Sequence, residues 1–98
     1  MNQKSGLSRR SSRQGFTEKQ GEYLAFIYVY SHMFQRPPAE TDMQRYFRVS
    51  PPSVHQMVIT LERAGLIRRQ PGVPRSIEIL VPPEELPIWL KINQSNPL

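Results

Sequence analysis

The stretch from Ser50 to Gly65, SPPSVHQMVITLERAG, carries a helix start signal, an apolar stripe and a helix stop signal within one short segment. The Ser50 hydroxyl can accept from a free N–H of the first turn, and proline suits the first helical position because no donor is needed there. Gly65 suits the left-handed backbone that ends many helices. Three apolar residues at helical spacing, Val54, Val58 and Leu61, predict the buried face. This stretch therefore predicts a helix that packs on a core, and it constrains the fold more than any other.

The opposite face of this predicted helix mixes small, amide, hydroxyl, imidazole and cationic side chains: Pro52, Ser53, His55, Gln56, Ile59, Thr60 and Arg63. Such groups can hydrogen-bond base edges in the major groove of DNA. An ordinary solvated helix face would have a similar composition. The stretch alone leaves both interpretations open.

The composition excludes several classes of protein. A chain of 98 residues can bury one compact core, and the absence of cysteine excludes disulfides, thiol nucleophiles and cysteine-ligated metals. His32 and His55 are far apart in the sequence and no carboxylates cluster near them. We therefore expect no enzyme activity, no catalytic residues, no metal, no cofactor and no small-molecule ligand. No apolar run could cross a membrane and no signal-peptide core is present, so the expected location is the cytoplasm, on the nucleoid.

Basic charge is concentrated in two segments of a chain whose net charge is +5. Residues 1–15 contain four cations and no acid, whereas residues 45–75 contain six arginines and the single acid Glu62. This distribution favours a polyanionic partner such as nucleic acid. Residues 1–15 are also too polar to bury a core and are predicted to be a disordered arm, either a solubilising leader or a segment that contacts phosphates.

A first helix is predicted from Thr17 to about Gln35, because Thr17 and Gln20 have the spacing of a capping box. Its predicted inward row is Leu24, Ile27, Ser31 and Phe34. Further aromatic residues spread around most of the circumference. Either the helix is clamped between the core and the C-terminal segment, or it forms a subunit interface.

A second, short helix is predicted to start at Thr41, with a capping box between Thr41 and Gln44 and with Met43 and Phe47 pointing inward. Only two residues separate this helix from Ser50, which is the helix-turn-helix pattern. In that arrangement Thr41, Gln44 and Arg45 would lie near the DNA backbone.

Residues 66–70 and 75–81 are predicted to form a β-hairpin around the turn 71–74, which adds a wing to the helices. Arg68 and Arg69 enter this wing and Arg75 leaves it. In the tail, residues 82–98, two prolines break the strand before an apolar cluster of Leu86, Ile88, Trp89 and Leu90. This cluster is expected to include a short helical turn and either to cap the core or to support dimerisation.

The order and spacing of these elements resemble the N-terminal DNA-binding domain of the LexA repressor family, a winged helix-turn-helix. The resemblance covers Thr17–Gln20, Ile27, Pro37-Pro38, Ser50-Pro51, 61–67 and 75–77. It implies that residues just after the Ser-Pro pair read bases, namely Pro52, Ser53, His55 and Gln56, with Ser50 near a phosphate. The family's well-studied members have asparagine in place of Pro52 and acids in place of His55 and Gln56, so a different operator is expected. The self-cleaving peptidase domain of the full-length repressors has no counterpart in these residues, and we expect no autocleavage here.

Together these patterns predict a mainly α fold with a small β-hairpin wing: three helices, a two-stranded antiparallel wing and a short C-terminal extension, with the DNA-binding domain at 16–81. The predicted function is sequence-specific binding of double-stranded DNA by a transcriptional regulator. The predicted DNA contacts are Ser50, Pro52, Ser53, His55, Gln56, Thr60, Arg63, Thr41, Arg45, Arg68, Arg69 and Arg75. A winged-helix module that docks another protein is the alternative. Since one helix and one wing read a half-site, a homodimer through helix 17–35 and residues 82–91 is also expected.

Overall fold

The computed structural model describes residues 15–87, which form three helices, a two-stranded antiparallel sheet and one 3-10 turn. The elements in chain order are α1 (Glu18–Phe34), α2 (Glu40–Phe47), α3 (Pro51–Arg63), β1 (Ile67–Arg68), β2 (Glu78–Ile79) and the 3-10 turn (Pro83–Glu85). This order confirms the predicted winged helix-turn-helix. The predicted basic arm, except Gly15, and the cluster Ile88, Trp89 and Leu90 lie outside the described residues.

The ends of α1 agree with the prediction. The Thr17 hydroxyl accepts from the Gln20 N–H at 3.1 Å, and the Gln20 side chain accepts from the Thr17 N–H at 2.8 Å, which completes the capping box. The helix ends at Gln35, whose backbone is left-handed with φ 62° and whose N–H donates to the Ser31 carbonyl at 2.9 Å. A glycine would adopt this conformation without strain, and Gln35 adopts it in spite of its side chain.

The inward row of α1 is correct only along the first half of the helix. Leu24 and Ile27 are fully buried, and the Ser31 hydroxyl donates to the Ile27 carbonyl at 2.7 Å. The prediction was wrong for Phe34, which is 55% exposed and contacts the Tyr30 ring instead. Since Ile27 is the last buried residue of α1, the final turn extends beyond the core and Phe34 has no layer to pack against.

The aromatic side of α1 packs against α2. Tyr23 stacks on Phe47 with ring centroids 4.0 Å apart, and Phe26 stacks on Tyr46 at 4.5 Å. Near the start of the same helix, Gly21 leaves room for the Phe16 ring and for Pro87 of the C-terminal segment. Burial of Leu86 also brings that segment into the core. Both α2 and the C-terminal segment around Leu86 and Pro87 therefore pack against the domain at α1, whereas Met33 and Phe34 at the end of this helix are exposed.

The start of α2 differs from the prediction. The helix begins at Glu40 with Ala39 as its N-cap, and the Asp42 carboxylate accepts from the Ala39 N–H at 2.8 Å. Thr41 is therefore inside the first turn and does not form the predicted capping box with Gln44. An ionised carboxylate at the third helical position binds the free N–H more strongly than a neutral amide does, which explains the shift. Met43 is fully buried and Phe47 packs on the core, as predicted.

Helix α3 has the predicted bounds, buried face and caps. Val54, Val58 and Leu61 are fully buried, and the Ser50 hydroxyl accepts from the Ser53 N–H at 3.3 Å. At the other end Gly65 is left-handed with φ 77°. Its N–H donates to the Glu62 carbonyl and the Leu66 N–H donates to the Leu61 carbonyl, each at 3.0 Å, which is the Schellman arrangement. This cap turns the chain directly into the wing.

The wing is a much shorter sheet than predicted. Ile67 pairs with Ile79 and Arg68 with Glu78, and the Leu80 N–H donates to the Leu66 carbonyl at 2.9 Å, whereas the strands were expected to cover 66–70 and 75–81. Beyond these pairs the Ser76 hydroxyl accepts from the Gln70 N–H at 2.9 Å and donates to the Val73 carbonyl at 2.8 Å. This side chain takes the place of ladder hydrogen bonds, so the connection is a loop held by Ser76. The predicted alternation of buried and exposed side chains is present, since Ile77 is buried and Glu78 and Leu80 are exposed.

Candidate nucleic-acid interface

The outer face of α3 is presented by the tight connection to α2. Arg48 has a left-handed backbone with φ 58°, and the Val49 N–H donates to the Gln44 carbonyl at 3.2 Å. The chain therefore changes direction over residues 48–50, the last of which, Ser50, is the N-cap of α3. With the inner faces of both helices buried around Met43 and Val54, the opposite side of α3 is directed away from the core.

The predicted base-reading residues share this exposed surface. Pro52, Ser53, His55 and Gln56 are all exposed on the first two turns of α3. The Gln56 amide makes no hydrogen bond within residues 15–87, so both its donor and its acceptor are available. The Ser50 and Ser53 hydroxyls lie 3.0 Å apart at the helix N-terminus.

Thr60 is less available than its neighbours on α3. Its hydroxyl donates to the Gln56 carbonyl at 2.9 Å, and the residue is half-buried. A threonine that bonds back to its own helix keeps its hydrogen away from an external acceptor. Thr60 can therefore contribute its methyl group or a hydroxyl lone pair to an interface, whereas its hydroxyl hydrogen is bonded to the Gln56 carbonyl.

His55 contacts a residue that the sequence did not identify as part of the site. Its Nδ1 lies 3.3 Å from each carboxylate oxygen of Glu40, the first residue of α2. The two residues are fifteen positions apart, so no helical spacing connects them in the sequence. The tight turn between α2 and α3 brings them together.

Four of the six arginines between residues 45 and 75 form ion pairs within the chain. The pairs are Arg45–Asp42 at 3.6 Å, Arg68–Glu78 at 2.9 Å, Arg69–Glu62 at 3.1 Å and Arg75–Asp42 at 3.0 Å. Asp42 and Glu78 lie just outside the basic stretch; Asp42 is three positions from Arg45, whereas the fold brings it to Arg75 across 33 positions and brings Glu78 to Arg68 across 10. The local positive charge is therefore smaller than the linear count indicated.

Arg48 and Arg63 are the remaining two arginines of this stretch. Both are exposed, and neither forms an ion pair or hydrogen bond through its guanidinium within residues 15–87. Arg48 precedes the N-terminus of α3, and Arg63 lies in its last turn. These two cations need not break an internal contact before they bind a phosphate, and Arg48 was not among the predicted site residues.

Arg75 connects the wing to the helices. Its Nη1 donates to Tyr30 Oη at 3.2 Å, to the Pro37 carbonyl at 3.2 Å and to Asp42 Oδ2 at 3.0 Å. Its backbone is left-handed with φ 56°, which turns the side chain towards α1 and α2. Arg75 thus ties three parts of the domain together through one guanidinium.

Asp42 is the acidic centre of this connection, and its side chain is only 13% exposed. Burial by itself would raise the pKa of the carboxyl group. The Ala39 N–H, the positive charge of Arg75 and hydrogen bonds from Arg75 and Tyr30 outweigh it, so the pKa of Asp42 lies below its ordinary value. The charged carboxylate therefore stabilises both the start of α2 and the attachment of the wing.

Thr41 lies across a groove from the wing loop. The groove has a volume of about 380 Å³, and Thr41, Glu40, Arg69 and Gln70 are among the residues that line it.

The paired arginines differ in exposure. The Arg69 side chain is 25% exposed, whereas those of Arg45 and Arg68 are 77% and 67% exposed. Exposed ion pairs contribute only about 0–1 kcal/mol, so Arg45 and Arg68 can exchange their partners for a phosphate at small cost.

Within the described part of the chain, no three His, Asp or Glu side chains are grouped so that they could hold a metal ion. None of the helices in residues 15–87 has the length and apolar character needed to span a bilayer.

Comparison with known proteins agrees with this geometry. The family model of the LexA DNA binding domain matches residues 13–76. The chain is 36% identical over 75 residues to the LexA repressor of Thermosipho melanesiensis, which covers 76% of this chain and 38% of that repressor. It is 35% identical over 63 residues to the LexA repressor of Thermotoga maritima, covering 64% and 32%, and 35% identical over 65 residues to that of Geobacter metallireducens, covering 65% and 32%. The chain thus spans about a third of the length of these curated relatives. With the family model matched over more than half of its residues, the chain belongs to the LexA DNA-binding domain family.

Proposed function

We propose that this chain is a sequence-specific double-stranded DNA-binding transcriptional regulator that inserts α3 into the major groove. The observation that carries the proposal is the exposed polar face of α3, held by a helix-turn-helix in a chain of this family. The relatives are named repressors, and we propose the same sign of regulation here. Such a regulator would act in the cytoplasm, on the nucleoid.

Gln56, Ser53 and His55 are the proposed readers of base edges. A glutamine amide can donate and accept at the same time, which matches the N6 and N7 groups of adenine. The serine hydroxyl is compatible with several bases, and Pro52 offers an apolar contact for a thymine methyl group. Ser50 would lie at a phosphate beside the helix N-terminus, where the helix dipole favours an anion.

Sequence-independent attraction is assigned mainly to Arg63 and Arg48, because their guanidinium groups have no partner among residues 15–87. Arg45, Arg68 and Arg69 can join them by exchanging a carboxylate for a phosphate, and Thr41 lies beside Arg69 at the wing groove. Arg75 is proposed to act indirectly, since its hydrogen bonds hold the wing in place.

We also propose that two copies bind two half-sites as a homodimer, because one helix and one wing contact only a few base pairs. The candidate contacts remain α1 and residues 82–91. On α1 the exposed apolar side chains are Met33 and Phe34 at its C-terminal end, 65% and 55% exposed. Sedimentation at micromolar concentration, with and without operator DNA, tests this, and a strict monomer on DNA would contradict it.

Fluorescence anisotropy with labelled duplexes tests the DNA-binding function. We expect binding to a mixed-sequence duplex that weakens steeply between about 50 and 200 mM salt, because phosphate contacts release counterions. The control is the Arg63→Gln variant, whose salt dependence should be shallower. Absent binding, or binding that does not respond to salt, would instead favour a protein-docking module.

A further inference from the structure

We infer that Glu40 is a specificity-determining residue. It positions His55 and keeps the proton of the neutral imidazole on Nδ1, so that Nε2 accepts a hydrogen bond from a base. The inference rests on the proposed DNA-binding function. It starts from the contact between the first residue of α2 and the second turn of α3, with Nδ1 at 3.3 Å from both Glu40 oxygens. Nothing in the spacing of the sequence relates the two positions.

The pair is asymmetric in exposure. The His55 side chain is 58% exposed, whereas the Glu40 side chain is 32% exposed and lies closer to the body of the domain. The carboxylate therefore holds the inner edge of the ring, at Nδ1. The other ring nitrogen, Nε2, makes no hydrogen bond within residues 15–87. It is the free end of the His55 side chain on the outer face of α3.

The chemistry of the pair fixes the tautomer. An ionised carboxylate can only accept hydrogen bonds, so Nδ1 must carry the proton. In the neutral imidazole Nε2 is then left without a proton and acts as an acceptor. Without Glu40 the neutral ring could carry its proton on either nitrogen, and Nε2 could equally present a donor.

This tautomer determines which bases His55 can read. In the major groove adenine and cytosine present exocyclic amino donors, whereas guanine and thymine present acceptors. An Nε2 acceptor matches adenine N6 or cytosine N4 and leaves the acceptors of guanine and thymine unpaired. Glu40 would therefore favour A or C at the position that His55 contacts, although Glu40 itself need not touch DNA.

Glu40 also carries a negative charge next to the proposed DNA-binding face. Asp42, the other acid of α2, lies 3.0 Å from Arg75. The partner of Glu40 is a histidine, which is charged only when it is protonated. An acid in this place repels phosphates on every sequence, so it lowers general affinity while it increases discrimination.

These opposite effects separate a positioning role from a merely structural one. Glu40→Gln removes the charge, and its amide can either accept from or donate to Nδ1, so it should bind all duplexes more tightly and keep only part of the base preference. Glu40→Ala removes the charge and the acceptor, so it should gain general affinity and lose about three- to tenfold of the discrimination at one position, the value of one hydrogen bond. Glu84→Gln is the matched charge control, since Glu84 is exposed and makes no ion pair within residues 15–87.

The experiment combines two measurements on the whole chain. Long-range ¹H–¹⁵N spectra of the neutral ring in the free protein should place the proton on Nδ1 in the wild type and should show the Nε2–H form in Glu40→Ala. Selection of bound duplexes from a random pool should show the A or C preference lost in Glu40→Ala and in His55→Ala. Adding Glu40→Ala to His55→Ala should cause no further loss of discrimination.

An unchanged selected site for Glu40→Ala, or a wild-type proton on Nε2, would overturn the inference and leave the proposed function standing. A wild type that selects no sequence would refute the proposed function itself, and the role of Glu40 in base reading with it. The two failures are therefore distinguishable in the same set of measurements.

Discussion

Arg63→Gln should remove one phosphate contact and leave the fold intact. Arg63 is exposed, has no ion-pair partner within residues 15–87, and lies in the last turn of α3. Each phosphate neutralised on duplex DNA contributes about 0.9 to the slope of log affinity against log salt. A slope lower by about 0.9 means that the wild-type advantage shrinks about 3.5-fold between about 50 and 200 mM salt.

The matched variant is Arg75→Gln, which removes the same charge from a residue that bonds inward. Tyr30, Pro37 and Asp42 accept from its guanidinium, so the substitution should loosen the wing and lower the unfolding temperature. It should leave the salt slope nearly unchanged. The sequence alone would assign equal phosphate roles to Arg63 and Arg75, whereas in the structure the Arg75 guanidinium bonds inward and that of Arg63 has no partner within residues 15–87.

The assay is fluorescence anisotropy on one labelled duplex at five or more salt concentrations, with circular dichroism to follow thermal unfolding of each variant. Binding is measured well below the lower unfolding temperature, so that both variants are folded. The reasoning is refuted by an equal drop in slope for Arg63→Gln and Arg75→Gln, or by a wild-type slope for Arg63→Gln.

Further predictions concern base reading, the Asp42 network and the left-handed positions. Gln56→Ala should cost about 1–3 kcal/mol on the best site and relax one base position in competition assays, whereas an equal loss on every sequence would exclude base reading. Asp42→Asn should lower the free energy of unfolding by about 1–2 kcal/mol near pH 7, since it removes charge-assisted hydrogen bonds. The pKa of Asp42 is lower in the folded protein than its ordinary value of 3.8, so the stability difference between wild type and Asp42→Asn is fully present above pH 3.8. It should disappear as the pH falls through the folded pKa. A stability difference that persists in acid would contradict this prediction. Arg48→Gly should raise the free energy of unfolding by about 1 kcal/mol, because glycine adopts the left-handed backbone at φ 58° without strain. The same substitution should weaken DNA binding because it removes a cation. Gln35→Gly is its control, with a similar stability gain and unchanged DNA affinity in the same titrations.

The helices could be predicted from the sequence because their signals are local. The capping box of Thr17 and Gln20, the Ser50 cap and the left-handed Gly65 each act within four residues, and each is found where the pattern placed it. The start of α2 was misjudged because two local signals compete there. Asp42 reaches back to Ala39, and a charged acceptor outweighs the threonine pattern that begins at Thr41.

The electrostatics of the site could not be predicted because they depend on contacts between distant residues. Arg75 meets Tyr30 and Asp42 across 45 and 33 positions, and His55 meets Glu40 across 15. A linear count of arginines and acids cannot show these pairs. The count therefore gave the sign of the proposed partner's charge but not which arginines are free to bind it.

Selection of bound sequences from a random pool of duplex DNA tests the central proposal most directly, which is that the outer face of α3 reads bases. We expect enrichment of a defined site, with two half-sites related by two-fold symmetry, and a change of single positions within it for Gln56→Ala and His55→Ala. A pool that is bound but shows no enriched sequence, or a site that both variants select unchanged, would contradict the proposal.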